Sequence, residues 1–129
     1  SEIYFDDVSF YEGNCVPGLA RLCLAGGRFE VIALWATAPT TRGSGIAVPL
    51  TDDSGSFWFF GPTNLEVFVK VLDACSFNQR FWVFASGATN VEVTLAVTDT
   101  ARVTGKTYFN PLGRTFVTVT DTDAFATCP

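Results

Sequence analysis

The chain has 129 residues, which fits one domain, and 15% of its residues are aromatic while only 16% are charged. This composition excludes intrinsic disorder, in which aromatic residues are scarce and charge is high. Thirteen acidic and eight basic residues give a net charge of -5. Because no cluster of Lys or Arg is present, neither nucleic acid nor an anionic membrane surface is an expected partner.

Residues 1–14 form the first recognisable element, in which apolar and polar side chains alternate. The apolar positions are Ile3, Phe5, Val8 and Phe10. Their alternation indicates an extended strand, with a break at Asp6-Asp7 that is compatible with a bulge. Two interpretations of this segment stay open. It is either the first strand of the chain's own sandwich or a donor strand that completes the sheet of a neighbouring molecule. We therefore divide the chain into an N-terminal segment, 1–14, and a sandwich domain, 15–129.

Four cysteines follow along the chain: Cys15, Cys23, Cys75 and Cys128. Three pairings are compatible with four cysteines. We favour Cys15–Cys23, which closes a short Pro-Gly loop, together with Cys75–Cys128, which ties the penultimate residue to mid-chain. Disulfides persist in oxidising compartments, so this pairing predicts a secreted, extracellular protein. The alternative is a cytosolic protein with four reduced cysteines.

Two further features of the sequence agree with secretion. The chain lacks Met and opens at Ser1, as expected after removal of a signal peptide. Its longest apolar runs, such as 31–36, are far shorter than the roughly 18–20 residues needed to cross a bilayer. We therefore expect no membrane anchor.

Period-two alternation continues through the rest of the chain, and turn-forming residues occupy nearly every gap. Strands are predicted at 3–10, 29–35, 46–50, 57–60, 65–72, 81–84, 91–98, 106–109 and 115–120. About nine short strands with no helical period are typical of an antiparallel sandwich or barrel. We predict an all-β fold, a two-sheet antiparallel β-sandwich held by disulfides.

Two aromatic strands are the most informative feature for binding. In the extended run 57–60, Phe57 and Phe59 face one side while Trp58 and Phe60 face the other. In the run 81–84, Trp82 and Phe84 likewise face one side while Phe81 and Val83 face the other. The second face is either covered by the Cys15–Cys23 loop or exposed, and an exposed face would serve a protein contact or stack on sugars.

The order of motifs in this chain resembles an uncharacterised domain of bacterial secreted proteins. The matching motifs are Cys15-Val-Pro, Leu22-Cys23-Leu24, Gly27-Arg28-Phe29, Phe57-Trp58-Phe59-Phe60, Val69-Lys70-Val71-Leu72-Asp73-Ala74-Cys75, Phe81-Trp82-Val83-Phe84, Asn110-Pro111 and Ala124-Phe125 with Cys128. The resemblance spans 15–128 and implies an extracellular bacterial β-domain. It carries no catalytic residues to this chain.

The sequence offers little material for catalysis. With no His in the chain, nucleophile–His and His–metal sites are excluded. Acid–base chemistry would fall to carboxylate pairs, as in glycosidases. The pairs are Asp6-Asp7, Asp52-Asp53 and Asp121 with Asp123. Adjacent carboxylates of this kind form turns more often than they catalyse a reaction, and calcium binding is a less common use. We therefore expect the chain to have no enzymatic activity, no metal site and no cofactor.

Two functions from different classes remain as hypotheses. The first is a structural subunit of an extracellular bacterial filament or surface assembly, a homo-oligomer or homopolymer joined by strand addition and aromatic contacts. The second is a monomeric extracellular module that binds carbohydrate through its exposed Trp faces. The state of assembly separates them, because only the first predicts a polymer.

Overall fold

A computed structural model describes residues 14–129. The interpretations of Ile3, Phe5, Val8, Phe10 and Asp6-Asp7 therefore lie outside the described residues. The strands of the described part are β1 (Leu22–Leu24), β2 (Phe29–Ala38), β3 (Thr41–Ser44), β4 (Ile46–Thr51), β5 (Ser54–Trp58), β6 (Leu65–Ala74), β7 (Arg80–Gly87), β8 (Glu92–Asp99), β9 (Thr104–Asn110) and β10 (Val119–Phe125), and one helical turn, α1 (Cys75–Asn78), links β6 to β7. No helix in this part of the chain is long and apolar enough to cross a membrane.

These strands form two antiparallel sheets, which confirms the predicted fold class. Sheet I has the order β9-β8-β2-β1, and β3 pairs with the second half of β2. Its central pair, β2 and β8, is in register from Phe29 opposite Asp99 to Ala36 opposite Glu92. Sheet II has the order β10-β7-β6-β5-β4. The chain passes from sheet I to sheet II between β3 and β4.

The core lies between the sheets and is built from alternate residues of the central strands. Val31 and Ala33 of β2 and Leu95 of β8 face Val69 of β6 and Val83 of β7, and all are buried. Because side chains alternate across a strand, the intervening residues point to the outer faces of the sheets. Burying each large apolar side chain stabilises the fold by about 1.5–3 kcal/mol relative to exposure.

One end of the sandwich is closed by the guanidinium group of Arg28. Its Nε and Nη2 donate to the two carboxylate oxygens of Asp99 at 3.0 and 2.9 Å, and Nη2 also donates to the carbonyl of Thr127 at 2.7 Å. Nη1 donates to the carbonyl of Pro129, and the group lies over the ring of Phe81, 4.6 Å from its centroid. Arg28 therefore fastens the last residues of the chain to both sheets.

The predicted boundaries were wrong in two places. The last strand runs over Val119–Phe125 instead of 115–120, because the buried Asn110 side chain accepts a hydrogen bond from Val117 N at 3.1 Å and holds 111–118 as a loop. The aromatic strand is Ser54–Trp58 instead of 57–60, so Phe59 and Phe60 follow its end. The short strands β1 and β3 were not predicted.

The predicted disulfides, Cys15–Cys23 and Cys75–Cys128, are both present. Cys15 and Cys23 are 8 residues apart in the sequence, and Cys75 and Cys128 are 53 residues apart. The Cys15–Cys23 loop lies beside β4, where Leu19 O accepts a hydrogen bond from Ala47 N at 2.9 Å. These bridges indicate an oxidising, non-cytoplasmic environment.

Replacing Cys75 and Cys128 by Ser is expected to lower the free energy of unfolding by about 4 kcal/mol, because the loop-closure entropy of the unfolded chain grows with loop length. The matched Cys15→Ser and Cys23→Ser pair is expected to cost about 2.5 kcal/mol by the same relation. Urea unfolding measures both values. If the Cys15/Cys23 variant lost more unfolding free energy than the Cys75/Cys128 variant, the predicted dependence on loop length would be wrong. Peptide mapping without reductant should separately find these two bridges and no free thiol.

Candidate assembly surfaces

The two long sides of the sandwich differ, and one of them is closed by backbone contacts between the sheets. Ala25 N donates to Asp52 O at 2.7 Å, and Gly26 N donates to the Asp52 side chain at 3.0 Å. Gly55 of β5 makes this closure possible, since a Cβ there would lie 2.6 Å from the side chain of Leu22. On this side β1 and β4 are also the last strands of their sheets, but these contacts tie the residues beside them across the two sheets.

The opposite side is formed by β9 of sheet I and β10 of sheet II. In the described part of the chain, β9 pairs only with β8 and β10 only with β7, so each leaves one edge without a neighbouring strand. Such an edge presents backbone N–H and C=O groups that can pair with an added strand. We call β9 together with the following loop, 111–118, the open edge.

Three large apolar side chains are exposed along the open edge. Phe109 is 61% exposed, Leu112 51% and Val117 58%. Asn110 keeps them near one another, because its Nδ2 donates to Arg114 O at 2.8 Å while its Oδ1 accepts from Val117 N. The open edge therefore combines unpaired backbone with apolar side chains, the two features that strand addition uses.

A polar contact joins the sheets beneath the open edge. The Tyr108 hydroxyl donates to Asp121 Oδ2 at 2.7 Å, and Lys106 Nζ lies 3.2 Å from the same oxygen. Burial and the hydrogen bond to the Asp121 carboxylate raise the pKa of Tyr108. Burial also acts to raise the pKa of Asp121, but the hydrogen bonds from Tyr108, from Asp123 N and from Lys106 outweigh it and hold that pKa below its usual value.

We expect acid to weaken the fold through two carboxylates. The pKa of Asp99 is also lowered, because hydrogen bonds from Arg28 outweigh the effect of burial. A carboxyl group whose pKa is lower in the folded state stabilises the fold fully above its unfolded value of about 4, and this contribution is lost as the pH falls through the folded pKa. Thermal melting should show a constant midpoint above about pH 5 and a decline below about pH 4.

Asp121→Asn is the variant that checks this assignment. It should have a lower midpoint than the native chain at neutral pH and a shallower decline in acid, because one of the two titrating groups is gone. An identical acid decline in both proteins would contradict the role of Asp121.

The outer face of sheet II carries an aromatic row that includes two of the predicted residues. Trp82 meets Phe77 edge-on, with ring centroids 5.5 Å apart, and meets Phe84 in the same way at 5.9 Å. The indole N–H of Trp82 donates to Asn78 Oδ1 at 2.9 Å, and Lys70 Nζ lies 6.0 Å from the Phe84 centroid. Phe77, which sequence analysis missed, is 79% exposed and extends the row beyond the sheet.

The other two predicted aromatic residues lie elsewhere. Phe60 packs against Trp35 of sheet I, with centroids 4.9 Å apart, and against Phe59 at 6.1 Å. Gly43 makes room for this cluster, since a Cβ there would lie 2.8 Å from the Trp35 ring. Trp58 ends β5 opposite Ile46 and is partly buried. The four residues therefore do not form one surface.

The described carboxylate pairs have structural partners. The Asp52 side chain accepts from Gly26 N, and Asp53 Oδ1 accepts from the Thr51 hydroxyl at 2.9 Å. Asp123 forms an ion pair with Arg80 at 2.6 Å, while Asp121 binds Tyr108 as described above. Within residues 14–129, no group of three or more potential metal-ligating side chains comes together.

Comparison of the chain with family models, with curated proteins and with solved structures found no match. The resemblance to a domain of bacterial secreted proteins therefore stays a prediction.

Proposed function

We propose that this chain is a structural subunit of an extracellular bacterial filament or surface assembly. In this proposal, residues 1–14 of one molecule add as a strand to the open edge of the next. The observation that carries it is the edge of β9 that no strand of residues 14–129 pairs with, beside three exposed apolar side chains, Phe109, Leu112 and Val117. Repeating one such contact from molecule to molecule gives an open polymer if the operation does not close.

The donor segment and the acceptor edge have complementary properties. The segment offers four apolar side chains, Ile3, Phe5, Val8 and Phe10, in two alternating pairs separated by Asp6-Asp7. Burying each fully would contribute about 1.5–3 kcal/mol, and backbone pairing with β9 adds to this. Ordering the segment and joining two molecules costs from several to more than ten kcal/mol. The balance favours assembly only if most of these side chains are buried.

The two disulfides support an extracellular location for the assembly, since small secreted domains commonly rely on such bridges. The proposal assigns the chain no catalytic activity, metal or cofactor. Its test compares the size of the full chain with that of a chain lacking residues 1–14, by sedimentation and electron microscopy. The full chain should polymerise and the shortened chain should not.

A second function, carbohydrate binding, has one observation in its favour. The aromatic row of Phe77, Trp82 and Phe84 is the type of surface on which sugar rings stack. If this function holds, Trp82→Ala and Phe77→Ala should abolish retention on polysaccharide columns while a matched variant of the Trp35 cluster, Phe60→Ala, leaves retention unchanged. Retention by a monomer of about 14 kDa would favour this function over the assembly.

A further inference from the structure

A cavity on the outer face of sheet II is lined in part by Glu66, whose carboxylate has no positive partner within residues 14–129. The cavity has a volume of about 360 Å³ and is lined by Ser56, 65–68 and 86–88 of three adjacent strands and the residues that follow them. Glu66 lies among these residues and is only 5% exposed. It belongs neither to the open edge nor to the aromatic row.

The Glu66 side chain has one hydrogen-bond partner in the described part of the chain. Asn64 Nδ2 donates to its Oε2 at 3.0 Å. None of the ion pairs among residues 14–129 includes Glu66, and no Lys or Arg lines the cavity. Lys70, two positions beyond Phe68, is directed towards the ring of Phe84 instead. The Glu66 carboxylate therefore has no cationic partner among the described residues, and a cation that enters the cavity would supply one.

A β-bulge places Glu66 in this position. Phe57 of β5 is opposite Val67, but the next residue, Trp58, is opposite Leu65, so Glu66 is the extra residue of β6. On the other side of β6, Ala88 N donates to Glu66 O at 2.8 Å and fixes the backbone. Bulges of this kind redirect one side chain and occur often beside functional sites.

The neighbouring side chains suit an organic cation. Ser56, Phe68 and Ser86 are directly opposite one another on adjacent strands, so two hydroxyl groups flank one aromatic ring. Hydroxyl and carboxylate oxygens accept hydrogen bonds from an ammonium group, and an aromatic ring attracts a cation or packs against its alkyl stem. With one carboxylate, the cavity lacks the six to eight oxygen ligands that calcium prefers.

We propose that this cavity binds a primary ammonium group, with Glu66 as the residue that accepts its charge and Phe68 as the residue that contacts its stem. The ammonium group could belong to a free amine or to a lysine side chain, and the two sources require different access to the cavity. This site is independent of strand addition, so it can fail or succeed without affecting the proposed assembly.

The test is isothermal titration calorimetry on the full chain with three probes: butylammonium, its neutral analogue butan-1-ol, and Nα-acetyl-lysine methylamide. We expect butylammonium to bind and butan-1-ol not to bind. Binding of the lysine derivative as well would assign the site to polypeptide lysines, and binding of butylammonium alone would assign it to free amines. Glu66→Gln should lower the affinity for butylammonium by about tenfold or more. The matched control is Asp73→Asn, which changes an exposed carboxylate of the same strand. This variant should bind butylammonium as tightly as the native chain does.

Thermal melting separates a binding role from a structural one. Without ligand, Glu66→Gln should melt at about the same temperature as the native chain, because the substitution breaks no ion pair among the described residues. Butylammonium should raise the melting temperature of the native chain and leave that of Glu66→Gln unchanged. No binding of butylammonium, equal binding of butan-1-ol, or unchanged binding of butylammonium by Glu66→Gln would overturn the proposal.

Discussion

Removing residues 1–14 is expected to convert a polymer into a folded monomer with both disulfides intact. The core residues of the described part lie between two sheets built from residues 22–125, and the proposal places residues 1–14 in the sheet of a neighbouring molecule. Sedimentation velocity should show a single species near the subunit mass, and electron microscopy should show no filaments. The exposed open edge will make this monomer prone to aggregate, so the measurement needs low protein concentration.

The acceptor side of the same contact can be tested in the full chain. Phe109→Lys places a charge on the open edge, a substitution that natural edge strands use against strand addition. We expect it to raise the concentration needed for assembly by about tenfold or more, because it puts a charge where the proposed assembly would bury the Phe109 ring. The matched control is Leu50→Lys, which changes a side chain on β4 at the closed side that is also more than half exposed. That variant should assemble normally.

A different result would place the N-terminal segment within its own domain. If Phe5→Asp with Phe10→Asp left the polymer intact but lowered the melting temperature of an isolated subunit, strand exchange would be wrong. The same conclusion would follow if Leu50→Lys impaired assembly and Phe109→Lys did not.

Alternation predicted the sheets well because most strands bury one face only. The run 91–98 is the clearest example: its odd residues Val93, Leu95 and Val97 are fully buried and the residues between them are half-buried. The two-sided arrangement of Phe81-Trp82-Val83-Phe84 followed from the same rule. The short strands β1 and β3 were missed because strands of three and four residues have too few positions to show a period.

The candidate sites were harder to predict, because they depend on contacts between distant residues. Phe109 lies in a predicted strand, but nothing in its local sequence indicates that β9 occupies an edge. The contact of Tyr108 with Asp121 and the placement of Glu66 in a bulge both depend on strand order and register. Phe60 was assigned to a sheet face, yet the strand ends at Trp58 and the ring turns to Trp35 instead.

Replacing Arg28 by Met is expected to be among the most destabilising single substitutions in the described part of the chain. Asp99 is completely buried, and Arg28 supplies two of its hydrogen bonds. Removing the guanidinium leaves a buried charge without its partner, which typically costs about 3–5 kcal/mol. The loss also frees the carbonyls of Thr127 and Pro129 at the end of the chain.

Arg42→Met is the matched control for this prediction. Arg42 also pairs with a carboxylate, that of Glu92 at 3.4 Å, but more than half of the Arg42 side chain is exposed. An exposed pair of this kind contributes about 0–1 kcal/mol, so urea unfolding should separate the two variants clearly. The unpaired Asp99 should also make Arg28→Met less defective in acid, because protonation removes the buried charge. Equal losses for the two variants would mean that the Asp99 carboxylate finds another partner once Arg28 is gone.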